Sequence, residues 1–252
     1  MENETETNIP SGKSPEGKQI ITTPTAIIVA GVLVMLALLI TRGGNGLGGK
    51  TSTDNKDKTL SEQVGVKQDA FKQCMDATNL DSLRATTNDS ANLAMKALPA
   101  DQRGTPYSVI VGKNGVKTEI KGAYPIEDVR KLIAEVNSGK VTTAYKGEIT
   151  AVTANDHILG DINAPVVIVE YADLECPFCK RFSGVMKQIV AESNGQVAWV
   201  YRHWVVHPGA LPKAGAAECV AKLQGNDAFW KYIDLVFGLL KTADDAPDTS
   251  NL

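Results

Sequence analysis

The sequence has no excess of either charge. Its 26 Lys and Arg stand against 29 Asp and Glu, a formal net charge of -3 over 252 residues. Without a basic field there is no electrostatic footprint for nucleic acid, so no nucleic-acid partner is expected. Cysteine stops at four residues, too few for a small disulfide scaffold. Histidine stops at His157, His203 and His207, which are not spaced as a ligand pair. With Cys74 and Cys219 isolated, the four ligands of a zinc knuckle are not in sight, and no metal is expected. What remains is ordinary: 43% apolar, 22% charged and 6% aromatic residues. That composition argues against wholesale disorder, collagen-like repeats and a polytopic membrane protein.

One long apolar run is present, Ala26 to Ile40, broadened upstream by Ile20 and Ile21. Residues 20–41 are long enough to span a bilayer and are read as a transmembrane helix. A buried core helix is one alternative, disfavoured because the run is apolar all round; a cleaved signal peptide is the other. The run starts late for a signal peptide, lacks a strongly positive leader, and is followed by Thr41-Arg42-Gly43 rather than a small-residue cleavage site. Lys13 and Lys18 before the run balance Arg42 and Lys50 after it, so charge does not set orientation. Residues 1–19 are polar and expected to be disordered, and the Gly-rich residues 42–58 read as a flexible linker.

The remainder, 59–252, reads as globular. Leu60–Val64 and Gln68–Ala77 suggest short helices, and Ser82–Leu98 a weak one. Strands are expected at Ser108–Val111 and Val116–Ile120 around a Lys113-Asn114-Gly115 turn. Pro125 opens a helix with Ile126, Val129, Leu132, Ile133 and Val136 on one face, stopped by Gly139. A connector follows, with one short strand at Glu148–Val152. Val166–Ala172 reads as a buried strand, Pro177–Ser193 as a helix and Val197–Val206 as a second strand. Lys213–Leu223 and Asp227–Leu240 close the helical pattern. The strand–helix–strand unit implies parallel pairing, the hairpin antiparallel pairing, and together they make a mixed α/β sheet.

Chemistry concentrates in Cys176-Pro177-Phe178-Cys179, placed after the buried strand and opening a helix. Unpaired N–H groups and the helix dipole favour a thiolate at Cys176, the expected exposed nucleophile. Cys179, about one turn on, is the expected resolving thiol. Pro177 suits the first helical turn, where its missing N–H costs nothing.

The stretch Asp161-Ile-Asn-Ala-Pro-Val-Val-Ile-Val-Glu-Tyr-Ala-Asp-Leu-Glu-Cys-Pro-Phe-Cys179 resembles the active-site region of DsbA-like thiol:disulfide oxidoreductases of the thioredoxin superfamily. The likeness continues through His207-Pro208, Ala216-Ala217-Glu218-Cys219 and Gln224-Gly225 to Phe229-Trp230. The second half of that family's fold does not follow. It is found upstream instead: Leu60–Cys74 resembles later insertion helices, Gly104-Thr105-Pro106-Tyr107 the cis-proline loop, Ser108–Ile120 the hairpin, and Gly122-Ala123-Tyr124-Pro125 the start of the terminal helix. The expectation is a thioredoxin-like fold with a helical insertion, circularly permuted, in which 60–139 and 148–242 make one domain. Two incomplete copies completed by domain swapping are the alternative.

Under the resemblance, Pro106 is cis beside the cysteines and Thr105 offers main-chain groups to an extended substrate. Cys74 and Cys219 are either inert packing residues or, in the permuted domain, a structural disulfide. Glu175 reads as a solvated loop charge, and His207 has no assigned role. Glu170 is either a proton-transfer group beneath Cys179, as in some relatives, or an edge residue. Phe178 supplies no cation to Cys176, which implies a less extreme oxidant than relatives with His there. No cofactor is implied. The activity implied is disulfide exchange with exported protein thiols, reoxidised by a membrane quinone-linked thiol oxidase or served by another membrane redox partner. Disulfide formation belongs outside the cytoplasm, so the globular part is expected there, with the N-terminal tail cytoplasmic. A reductase or isomerase, a non-catalytic binding module and a metal-delivery role are the alternatives.

Overall fold

The computed structural model describes residues 58–240. The expected tail, membrane span and most of the linker, and the last residues of the chain, lie outside them. Among the described residues no helix is long and apolar enough to cross a membrane.

Helices α1 (Leu60–Gln63), α2 (Gln68–Ala77) and α3 (Leu80–Ala94) come first. Strands β1 (Tyr107–Gly112) and β2 (Lys117–Lys121) form a hairpin, followed by α4 (Ile126–Ser138). Then come β3 (His157–Leu159), β4 (Val166–Ala172), α5 (Pro177–Glu192), β5 (Val197–His203), α6 (Ala210–Gln224) and α7 (Asn226–Gly238). The sheet order is β2-β1-β4-β5-β3. β4 and β5 are parallel, and β2–β1, β1–β4 and β5–β3 are antiparallel. One sheet therefore draws strands from both sides of the 140–156 connector.

β4 is central because it can be buried on both faces: Val, Ile, Tyr and Ala fill it, with Glu170 the one acid. One face, carrying Ile168 and Trp199, packs under α5 and α7 through Phe182, Met186, Phe229 and Ile233. The other, carrying Val109, Val169, Tyr171 and Val200, packs against Ala91, Ala94 and Met95 of the α3 region. Each fully buried Phe or Met contributes about 1.5–3 kcal/mol. The β1–β2 turn uses Gly115 at φ +80°. Asn114 Oδ1 accepts from Val116 N at 3.0 Å, and its Nδ2 donates to Val136 O at 3.1 Å, so the turn is fastened to the end of α4.

Three expectations move. No strand forms at 148–152, because its backbone is bonded elsewhere. Glu148 N donates to Leu93 O, and the Arg202 guanidinium donates to the carbonyls of Thr150 and Ala151. The edge strand is β3 instead. β5 stops at His203, three residues early, since the next amides find other acceptors: Trp204 N on Ala172 O, Val205 N on Asn88 Oδ1 and Val206 N on Asp173 Oδ2. The helix read at 82–98 begins earlier, at Leu80, capped by Asn79 Oδ1 accepting from Ser82 N at 2.9 Å, and ends at Ala94.

α6 is rich in Ala and Gly on its buried face, which lets neighbouring helices come close. A Cβ at Gly215 would lie 2.5 Å from Leu80 Cδ2 of α3. Cys219 of α6 is joined to Cys74 of α2 in a disulfide, with Cα atoms 5.8 Å apart and a sequence separation of 145.

Candidate redox site

The chain leaves β4 at Ala172, turns through Asp173-Leu174-Glu175, and enters α5 with Cys176 as N-cap and Pro177 in the first turn. Cys176 and Cys179 are free thiols. The Thr105–Pro106 peptide is cis and precedes β1, whose neighbour is β4, so it arrives beside the helix start. Cys176 Sγ donates to Thr105 O at 3.4 Å. The expected exposed nucleophile is in fact 3% exposed, because the Thr105–Pro106 loop packs against it. Phe178 stands out at 47% exposure, with the Arg181 guanidinium 5.2 Å from its ring centroid.

The two thiols differ sharply. Cys176 is drawn down to about 6, first by its contact with the Cys179 thiol, then by Thr105 and the backbone N–H groups of Cys179 and Phe178, with burial opposing. These amide donors are the free N–H groups of a helix start. Cys179 is pushed well above the ordinary thiol range by burial and by the neighbouring Cys176. Its Sγ lies 3.5 Å from Asp173 N, which donates to it.

Glu170 is not an edge residue. It is 1% exposed and sits on β4 on the cysteine side of the sheet, and burial raises its carboxyl to about 8. Trp199 approaches it and opposes that shift, although neither Glu170 Oε2 nor Trp199 Nε1 has a hydrogen-bond partner of full geometry. Glu175 is not a solvated loop charge either. It accepts from Gly209 N at 2.9 Å and pairs with Lys213 Nζ at 2.9 Å, and Lys213 holds it below the usual carboxylate range. A Cβ at Gly209 would collide with Glu175 Oε1, so the close approach favours glycine.

Sequence reasoning passed over Asp173. Its carboxylate is buried and accepts from Glu175 N at 2.7 Å, Val206 N at 2.7 Å and His207 N at 2.9 Å. It clamps the turn before Cys176 to the loop after β5. The signal was available: an acid placed just after a buried strand, where a bend leaves amides unpaired. His207 lies against it, Nδ1 at 3.2 Å from Asp173 Oδ1. Among the described residues no group of His, Cys, Asp or Glu side chains is arranged to hold a metal.

Two cysteines of opposite acidity at a helix start, beside a cis X-Pro loop and over a mixed sheet, meet a direct sequence match: residues 152–248 fit the family model described as thioredoxin. Over residues 152–248 the chain is similar to the thioredoxin family, and that match takes in the cysteine turn. Curated relatives include the Na(+)/H(+) antiporter NhaA 1 of Mycolicibacterium vanbaalenii, 40% identical over 85 residues, covering 32% of this chain and 13% of that protein. The Na(+)/H(+) antiporter NhaA 3 of Salinispora tropica is 42% identical over 84 residues, covering 32% of this chain and 12% of that one. The chain thus spans about an eighth of these relatives, and ion antiport is said of them alone. Among solved structures, DsbA2 of Pseudomonas aeruginosa is 38% identical, with a TM-score of 0.33, covering 35% of this chain and 50% of that one. In this chain the cis-proline loop, the hairpin and α4 precede the cysteine turn.

Proposed function

We propose that the protein is a membrane-anchored, extracytoplasmic thiol:disulfide oxidoreductase that forms disulfides in exported proteins through Cys176 and Cys179. The observation that carries this reading is the pair itself: a nearly buried thiol lowered to about 6 at a helix start, next to a fully buried thiol that stays protonated. A low-pKa first cysteine stabilises the reduced form, which makes the disulfide a good oxidant.

In the oxidising direction a substrate thiolate attacks Sγ of Cys176 in the Cys176–Cys179 disulfide. The S–S bond breaks, and Cys179 leaves as a thiolate and takes a proton. A second substrate thiolate then attacks the substrate sulfur of the mixed disulfide. Cys176 departs as a thiolate, the substrate gains a disulfide, and two electrons stay on the protein. Thr105 offers main-chain groups to the substrate segment, and Phe178 an exposed apolar ring beside the sulfurs. In this reading Glu170 exchanges a proton with Cys179, and its burial on the cysteine side of the sheet supports that role. A membrane quinone-linked thiol oxidase would remove the electrons, as the family resemblance implies. We read 60–139 and 148–242 as halves of one circularly permuted domain; the shared sheet and the Cys74–Cys219 bond support that reading.

Equilibrating the full chain, in detergent, with glutathione buffers tests the direction, with the active-site peptides read by alkylation and mass. A potential of about -120 to -180 mV is expected for a donor of disulfides. A value near about -270 mV would overturn the oxidase reading in favour of a reductase.

A further inference from the structure

Glu170 is almost sealed, and once a substrate sulfur occupies Cys176 with its chain along Thr105, the front of the site is covered. The proton that Cys179 takes up in that step, or releases when the pair is reoxidised, then needs another route. The sheet offers one. Ser108, Glu170 and Tyr201 are direct register partners across β1, β4 and β5, and all three are buried. Ser108 Oγ, Glu170 Oε2, Tyr201 Oη and His203 Nε2 are all buried without a full hydrogen-bond partner among the described residues. His203 lies two residues beyond Tyr201 on the same face, their ring centroids 5.2 Å apart. His203 Nε2 is 3.4 Å from Glu218 Oε1, which also lies 3.0 Å from His157 Nε2. His157, His203 and Glu218 line an open cleft of about 320 Å³ at the end of β3, whose described lining includes neither cysteine. Buried polar atoms that lack protein partners call for a physical explanation, and a row of them leading to solvent has one.

We propose that Tyr201, His203 and Glu218 form a rear proton path that connects Glu170, and through it Cys179, to the His157–Glu218 cleft. This rests on the reading of Cys176 and Cys179 as a redox pair. In the reoxidising direction Glu170 gives its own proton to Tyr201 and takes one from Cys179, whose S–H bond breaks. The Tyr201 hydroxyl takes the Glu170 proton and gives up its own, so the phenol stays neutral. His203 receives it at one ring nitrogen and gives a proton from Nε2 to Glu218, which releases it to water in the cleft. Where no direct hydrogen bond joins two neighbours, the path requires a bridging water. No electron moves, and one proton enters and one leaves. Asp173, Cys176 and His157 also face this strip; burial keeps His203 down at about 4, so it is neutral between transfers.

Infrared difference spectroscopy on the reduced full chain tests the path. The Glu170 carboxyl band, identified by its loss in Glu170→Gln, is followed after transfer to deuterated water below about pH 8, where the group is protonated. Tyr201→Phe and Glu218→Gln should each slow deuteration of that band at least about tenfold. Glu218→Asp should recover part of the rate, which a merely structural role would not predict. Unchanged deuteration in folded Tyr201→Phe would overturn the proposal, and should that variant misfold, an unchanged rate in Glu218→Gln would do the same. The readout needs neither substrate nor turnover, so a failure of the oxidoreductase reading would show separately, as absent disulfide exchange by the parent chain.

Discussion

Two cysteine pairs sit in one molecule in opposite settings. Cys74 and Cys219 are 145 residues apart, on two packed helices, with the Thr78 hydroxyl 3.4 Å from Cys219 as polar company. Cys176 and Cys179 are one helical turn apart, at a helix start, over a buried acid and beside a loop from a distant strand. The first pair closes a large loop. The second is surrounded by N–H donors that make one sulfur acidic and by burial that keeps the other protonated. Placement relative to helix termini and charge, more than the presence of two sulfurs, separates a bonded pair from a pair of unequal acidity.

The strongest way to break that contrast is to remove one sulfur from each pair. Cys176→Ser should cut disulfide exchange with a dithiol peptide by more than about a hundredfold while leaving the thermal midpoint near that of the parent. Cys219→Ala should do the reverse. Exchange survives, and denaturant titration shows a loss of about 2–4 kcal/mol, the usual worth of a bond closing a long loop. If Cys219→Ala instead abolished exchange at unchanged stability, the division of labour would be wrong.

Titration sharpens the contrast within the redox pair. Alkylation of the reduced protein should give Cys176 a half-point near about 6, whereas Cys179 resists until well above the ordinary thiol range. Glu170 adds a stability signature. Its folded carboxyl titrates near 8, above its usual value, so folding favours the protonated form. Stability should therefore be highest below about pH 4.5 for this group and fall as pH rises towards 8, by roughly a few kcal/mol. Glu170→Gln should flatten that slope and stabilise the protein at alkaline pH, as measured by denaturation at several pH values. The same variant should slow the step that protonates or deprotonates Cys179 by roughly tenfold or more. The smallest effect is expected at Phe178. Phe178→His places a titratable cation between the sulfurs and should raise the potential by roughly tens of millivolts, read against glutathione.

Much of this was legible in the sequence, for physical reasons that differ by element. β4 was readable because a central strand must be apolar on both faces, and α4 because five apolar residues recur at helical spacing before Gly139. Cys176 and Cys179 were readable from spacing alone. The Thr105–Pro106 loop was not: nothing local says that residue 105 meets residue 176, and only the family likeness brought them together. Other failures share a cause. Glu148–Val152 looks like a strand, but a guanidinium on β5 takes its carbonyls. Continuation of β5 through Val205 and Val206 fails because side chains of Asn88 and Asp173 accept their amides. Glu175 looked solvated because Lys213 and Gly209 lie more than thirty residues away. Side chains that act on distant backbone leave no periodic trace.

The strand order has a consequence in time. Synthesis runs from the N-terminus, so β1 is made about fifty residues before β4, the strand that covers its inner edge. At roughly 5–20 residues per second that interval is on the order of 3–10 s. Throughout it, β1 offers an uncapped edge carrying Tyr107, Val109 and Ile110, all buried in the finished sheet. The half of the chain that holds no redox sulfur is therefore the half with the longest unprotected wait, and the cysteine turn is made only when the strand that ends that wait has just emerged.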